Sequence, residues 1–215
     1  MEAVRRDRVG GIVLCGGKST RMRRPKLSLP FGGETMLARV VRIIGEVVSP
    51  IVVVAAPGQA LPELPAGTLV TRDEIEDQGP LGGLAAGMAA LRGRAEAVYA
   101  SSCDVPLLKA EFVRAMLEAL GTHELAIPRD GQYHHPLAAV YRTTLEFRVG
   151  RLIAEGRLRP LFLVQESDAR LVDVSELRAV DSTLSSLRNT NTPEEYRDAL
   201  LAAGLQSDGC DEPVP

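Results

Sequence analysis

The chain has 215 residues, 45% of them hydrophobic and 25% charged, with a formal net charge of -3. That size suits one ordinary globular domain whose core needs neither disulfides nor a structural metal. The slight negative charge argues against non-specific nucleic-acid binding and against a basic membrane-surface protein, and no apolar run approaches the roughly 20 residues of a membrane helix.

Val9 to Cys15 is a near-continuous apolar run ending in Gly16-Gly17, the pattern of a strand buried on both faces of a parallel sheet. A polar loop follows through Gly33, and Glu34 to Val48 then carries Met36, Leu37, Val40, Val41 and Ile44 at helical spacing. Ile51 to Ala55 is a β-branched strand, Thr68 to Thr71 a short one, and Leu81 to Leu91 a helix of small residues. Ala97 to Cys103 predicts a fourth strand and Ala110 to Leu120 an amphipathic helix. Leu125 to Pro128 and Leu137 to Tyr141 are placed to pair around the turn Arg129-Asp130-Gly131, and Thr143 to Glu155 reads as helix. Leu158 to Gln165 fits helix or strand, and Leu171 to Val174 a short strand. Thr192-Pro193-Glu194-Glu195 starts the last helix, with Thr as N-cap, Pro at the first position and acids in the first turn. Strands alternating with helices predict an α/β fold with a single doubly wound, mostly parallel sheet. Residues 1–205 are expected to form a single domain and 206–215 a disordered tail.

The N-terminus has arginines but no long apolar region behind them, so no signal peptide is read. Three widely spaced cysteines, Cys15, Cys103 and Cys210, give neither a disulfide framework nor a zinc site, and a reducing cytoplasm is the expected location.

In doubly wound sheets ligands bind beyond the carboxyl ends of the strands, which directs attention to the segments after Cys15 and after Cys103. The first contains Gly16, Gly17, Lys18, Arg21 and Lys26. Glycines let backbone N–H groups close around an anion, and the cations add charge suited to phosphate. Only three of the 25 basic residues are lysine, Lys18, Lys26 and Lys109, and two of them fall in this loop. A Walker A loop is excluded, because its first glycine would have to stand at Ile12; G-x-G-x-x-G is absent too. The second segment places Asp104 just past an apolar strand, where one carboxylate and substrate phosphates could share Mg²⁺; an N-cap role for the next helix is the plain alternative. Asp73, ahead of Gly79-Pro80-Leu81-Gly82-Gly83-Leu84, lies either beside a nucleotide or in an acidic surface loop. His134 and His135 are adjacent and point to opposite faces of a strand, so they do not chelate one ion. With Arg129-Asp130 they form a polar substrate wall or an exposed hairpin. Asn189-Thr190-Asn191 reads mainly as a turn and helix cap, with a side role near metal or substrate.

Leu14-Cys15-Gly16-Gly17-Lys18-Ser19-Thr20-Arg21-Met22 through Lys26, with Leu29-Pro30-Phe31-Gly32-Gly33-Glu34-Thr35-Met36-Leu37, resembles the signature loop of nucleotidyltransferases with a glycosyltransferase-A-like fold. Gly79 to Leu84, Ser102-Cys103-Asp104-Val105-Pro106, His135-Pro136-Leu137-Ala138 and Asn189 to Glu195 are similar to the molybdenum cofactor guanylyltransferases within that superfamily. The resemblance spans Val9 to Leu201. It implies a Rossmann-like nucleotide-binding half and GMP transfer from GTP to the terminal phosphate of molybdenum-bound molybdopterin. It also implies Mg²⁺ as cofactor and transient contact with cofactor-delivering or acceptor enzymes. It puts Leu14, Cys15 and Gly16 along the guanine nucleotide, Lys26 on its phosphates, Asp73 near the nucleotide and Asp104 on Mg²⁺. Lys18, Arg21 and Gly17 complete the phosphate loop; His135, Asn189 and Asn191 are the substrate candidates. Some members carry an asparagine after the second strand, where this chain has Ala55-Ala56-Pro57. Rival readings are a cytidylyltransferase for the same cofactor, a sugar-phosphate nucleotidyltransferase, and a nucleotide-binding adaptor without turnover.

Overall fold

The computed structural model describes residues 4, 6–15, 26–73 and 78–206. Gly16, Gly17, Lys18 and Arg21 of the glycine-rich loop, and the tail from residue 207, lie outside the described residues. The chain runs β1 (Val9–Leu14), β2 (Pro30–Phe31), β3 (Glu34–Thr35), α1 (Met36–Gly45), β4 (Ile51–Ala55), β5 (Leu69–Arg72), α2 (Gly79–Ala90), β6 (Ala97–Ser102) and α3 (Ala110–Leu120). It continues with β7 (Leu125–Asp130), β8 (Tyr133–His134), β9 (Ala138–Arg142), α4 (Glu146–Ala154), α5 (Pro160–Gln165), β10 (Ala169–Asp173), α6 (Val174–Leu177) and α7 (Pro193–Ala202).

The main sheet has the strand order β10-β7-β9-β6-β1-β4-β5, with β8 added on β7. β1 pairs in parallel with β4 and β6, β4 with β5, and β7 with β10. β9 alone on this path is reversed, antiparallel to both β6 and β7. The mostly parallel α/β sheet expected from the sequence is the one that forms. β1 shows why its sequence carries no polar alternation. Val9, Val13 and Cys15 face a core shared with Leu37 and Ile44 of α1 and Phe112 and Met116 of α3. Ile12 and Leu14 face the other core, with Leu81, Leu84 and Met88 of α2 and Val149 and Leu152 of α4. A strand covered on both faces has no solvent side to mark with polar residues.

The small residues of α2 set how closely it sits. A Cβ on Gly83 would stand 2.9 Å from Leu14 Cδ2, and one on Gly87 2.7 Å from Ile12 Cγ2. Only bare backbone fits there, so the helix seats directly on β1 and its N-terminus is delivered to the carboxyl edge of the sheet. Gly79, at φ 59°, makes the turn into that helix.

Three departures of element boundaries from the sequence reading have a clear local cause. The first helix starts at Met36 because Thr35 is its N-cap, accepting from Ala38 N–H at 3.2 Å, while Glu34–Thr35 pairs with Pro30–Phe31 as a two-residue ribbon. The ambiguous Leu158–Gln165 segment resolves as helix from Pro160, whose fixed φ suits a first helical position. The hairpin after Leu125 forms as expected but gains β8, so that Asp130 faces Tyr133 and Arg129 faces His134. Among the described residues no helix is long and apolar enough to cross a membrane.

Candidate active site

Three residues from distant parts of the chain meet beyond the carboxyl ends of β1 and β6. Lys26, at the end of the glycine-rich loop, donates from Nζ to Asn191 Oδ1 at 2.6 Å and to Asp104 Oδ2 at 3.4 Å. The Lys26 and Asp104 side chains are only 15% and 14% exposed. Asp104 lies two residues past the end of β6, and its backbone C=O accepts from Thr190 N–H at 2.8 Å, which docks the Asn189–Thr192 segment on it. Asn191 is fixed in turn from the helix behind it: Glu195 accepts from the N–H groups of Asn191 (2.6 Å) and Thr192 (3.0 Å), and Thr192 Oγ1 accepts from Glu195 N–H at 3.2 Å. This capping box is the reason the sequence Thr-Pro-Glu-Glu appears here.

The second carboxylate oxygen, Asp104 Oδ1, is buried and accepts no hydrogen bond. A buried acceptor left unmatched is costly, and hard oxygen donors suit Mg²⁺-type cations. Among the described residues no group of three or more His, Cys, Asp or Glu is placed to hold a metal ion. One carboxylate with an open oxygen therefore fits a divalent cation whose other ligands come from substrate phosphates and water, and does not fit a closed protein cage.

Asp73 continues from β5, its N–H bonded to Ala55 C=O at 3.0 Å, and its carboxylate lies against the first turn of α2: a Cβ on Gly82 would come within 3.0 Å of Asp73 Oδ2. Asp73 and the glycine segment thus share one side of the crevice, over β4 and β5. Leu14 and Cys15 are buried, and their peptide groups are largely spoken for. Leu14 C=O accepts from Cys103 N–H at 3.1 Å, Cys15 N–H donates to Val54 C=O at 2.9 Å, and Cys15 C=O accepts from Gln59 Nε2 at 3.1 Å. Gln59 was not singled out in the sequence; its amide also accepts from Ala56 N–H at 2.9 Å and so ties the loop after β4 to the end of β1. No local sequence signal marks it. The Cys15 thiol is pushed up by its hydrogen bond with Cys103, by burial and by the negative charge of Asp104. It is a protonated filler, not a nucleophile.

His135 is half-buried just after β8, with its backbone N–H on Pro128 C=O at 3.0 Å, and burial lowers the pKa of its imidazole below the ordinary value. Asn189 is exposed, and Lys26 bonds to Asn191 instead.

A fourth residue, missed in the sequence, fastens the assembly. Asp181 lies in a stretch that reads as polar surface, yet it is 0% exposed. Its carboxylate accepts from Ser186 N–H at 2.7 Å and Ser185 Oγ at 3.1 Å and pairs with Lys109 Nζ at 2.9 Å. The 181–186 turn is thereby stitched to the loop that follows Asp104. Burial alone would push this carboxyl up; the hydrogen bonds and the Lys109 charge prevail and hold it at about 2, below an ordinary 3.8. A lowered native pKa contributes stability that is present above the unfolded value and lost as pH falls through the native one. Asp181→Asn is therefore expected to remove about 2 kcal/mol at neutral pH, a fall in Tm of roughly 4–8 °C. The gap between wild type and variant should close between about pH 4 and pH 2. Melting curves across that range check it; a gap independent of pH would show that the carboxylate charge does not act this way.

A parallel sheet with a cation–carboxylate–amide cluster at its carboxyl edge, and a glycine-lined helix N-terminus beside it, defines an α/β protein of the nucleotide-transferring class. The family model for the MobA-like NTP transferase domain matches residues 11–170. The chain belongs to that family, as a relative of its molybdenum cofactor guanylyltransferases. A protein of Mycobacterium avium (strain 104) named "probable molybdenum cofactor guanylyltransferase" is 39% identical over 194 residues, 88% of this chain and 93% of its own. The solved molybdopterin-guanine dinucleotide biosynthesis protein A of Archaeoglobus fulgidus shares the fold, with a TM-score of 0.73 at 22% identity, over 91% of this chain and 98% of that one. A Mycobacterium tuberculosis protein solved in complex with manganese superposes with a TM-score of 0.63 at 18% identity, over 91% and 99% of the two chains.

Proposed function

We propose that this chain transfers GMP from GTP to the terminal phosphate of molybdenum-bound molybdopterin, giving the guanine dinucleotide form of the cofactor and pyrophosphate. The observation that carries the reading is the Lys26–Asp104–Asn191 cluster, with one open carboxylate oxygen, in a chain 39% identical to a relative of that name. In the reaction an oxygen of the acceptor phosphate attacks the α-phosphorus of GTP, the bond between the α-phosphorus and its bridging oxygen breaks, and pyrophosphate leaves with the electron pair. Chemistry of this kind asks the protein for positioning and charge neutralisation and needs no side-chain nucleophile. Lys26, with Lys18 and Arg21 of the same loop, neutralises phosphate charge as it shifts to the leaving group. Asn191 keeps the Lys26 ammonium aimed between the acceptor and Asp104. Asp104 would hold a divalent cation, Mg²⁺ by its hard oxygen donor, which when bound supplies charge neutralisation on the phosphates. The manganese complex of the M. tuberculosis fold neighbour supports a divalent ion in this architecture. Asp73 and the Gly79–Leu84 turn bind the nucleoside.

The base is tested by competition. GTP is expected to outcompete equimolar CTP at least tenfold, because a purine edge paired to buried backbone groups near Gly82 leaves two of them unmatched when cytosine enters, each costing about 1–3 kcal/mol. Product mass after incubation with both nucleotides, Mg²⁺ and molybdenum-loaded molybdopterin reads the ratio. Mostly cytidylylated product would overturn the choice of guanine and keep the transferase class.

A further inference from the structure

The side of the crevice opposite Asp73 holds a guanidinium whose buried Nε has no hydrogen-bond partner among the described residues. β7 runs in the same direction as β6, with the reversed β9 between them. The pairs Ser101↔Ala138 and Ala126↔Val140 bring Pro128 level with Ser101, so Arg129, the penultimate residue of β7, lies at the same carboxyl edge as Asp104. Two strand spacings, roughly 10 Å, separate them, a span that an arginine side chain largely covers. Leu125 and Ile127 of β7 share a core with Val98 and Ala100 of β6, so by alternation Arg129 continues the face that Ser102 continues on β6.

Arg129 Nε is buried and has no hydrogen-bond partner, and among the described residues no hydrogen bond or ion pair reaches this guanidinium. Asp173, its pairing partner on β10, feels the Arg129 charge. That carboxylate is already used as the cap of α6, accepting from Ser175 N–H at 3.0 Å and Ser175 Oγ at 2.6 Å. A buried donor without an acceptor is a standing cost that an anionic ligand would relieve, and the arginine fork matches phosphate oxygens in pairs. With Asp73 and α2 holding the nucleoside over β4 and β5, the second substrate has to reach Asp104 over β9 and β7, across Arg129.

We propose that Arg129 binds the phosphate monoester of the acceptor and orients it toward the Lys26–Asp104 pair. His135, held against β7 by its backbone N–H on Pro128 C=O, forms the polar wall of this subsite. The assignment rests on the guanylyl-transfer reading for the identity of the acceptor, and on the geometry alone for the phosphate.

The test compares wild type, Arg129→Met and Arg129→Lys in initial rates with GTP, Mg²⁺ and molybdenum-loaded molybdopterin, each substrate varied in turn. Arg129→Met is expected to raise the acceptor concentration for half-maximal rate roughly 10- to 100-fold and to leave that for GTP unchanged; Arg129→Lys should recover part of the loss. An unchanged acceptor dependence in a variant with native melting temperature, or equal losses toward both substrates, overturns the proposal. Should Arg129→Met not fold, Arg129→Lys carries the test, with a smaller rise toward the acceptor alone as the expected result and no rise as the refutation. A wild-type protein that does not turn over these substrates would sink the guanylyl-transfer reading only. Titration with inorganic phosphate followed by ³¹P line broadening then decides: weaker binding in Arg129→Met sustains the subsite, and equal binding removes it.

Discussion

Asp104→Asn is expected to slow guanylyl transfer by on the order of 10²-fold or more at saturating Mg²⁺, with the fold intact. The side chain offers one buried oxygen with no hydrogen bond and a second shared with Lys26. An amide keeps the shape but loses the charge that would attract a cation, and directs N–H groups to one of the two oxygen positions. Stability should change little, because residue 104 is held through its backbone C=O to Thr190 N–H, which the substitution leaves in place. Pyrophosphate release measured against Mg²⁺ concentration, beside a melting curve, reads both halves of the expectation. Turnover near the wild-type rate would take Asp104 out of the mechanism.

Lys26→Ala is the second large effect, a loss of about 10- to 100-fold in kcat/KM for GTP. Removing this ammonium strips Asn191 Oδ1 of its 2.6 Å donor and leaves the largely buried Asp104 carboxylate without its counter-charge. Lys26→Arg should restore only part, since a planar fork cannot meet both oxygens from the position of a single point charge. Equilibrium binding of GTP measured alongside the rate separates affinity from chemistry. A Lys26→Ala protein with unaltered binding and rate would reduce the glycine-rich segment to a surface turn.

The sheet was legible because its physics is local. A strand such as Val9–Leu14, buried on both faces, announces itself by the absence of polar alternation, and Thr192-Pro193-Glu194-Glu195 spells out a helix start in consecutive residues. Lys26, Asp104 and Asn191 could each be marked as candidates by residue type and position, but their meeting could not be read, since nothing in one segment encodes the distance to another. Asp181 and Gln59 were invisible for a related reason. A buried aspartate takes its meaning from the distant Lys109, and a loop glutamine from the C=O of Cys15, and neither partner is a sequence neighbour. The reversal of β9 follows from a hairpin that could be seen, yet its place between β6 and β7 is a matter of which edges remain to be covered.

The Lys26–Asn191 contact joins residues 165 positions apart. A ribosome adding about 5–20 residues per second delivers the two roughly ten to thirty seconds apart. During that interval the growing chain already holds the strands of β1, β4 and β6 and can pair them, but the lysine has no amide to steady it. Catalytic competence is therefore expected to arrive as one late event, when the segment carrying Asn191 has left the exit tunnel and docks on Asp104. Nascent protein stalled earlier would be a folded sheet that binds phosphate loosely and transfers nothing.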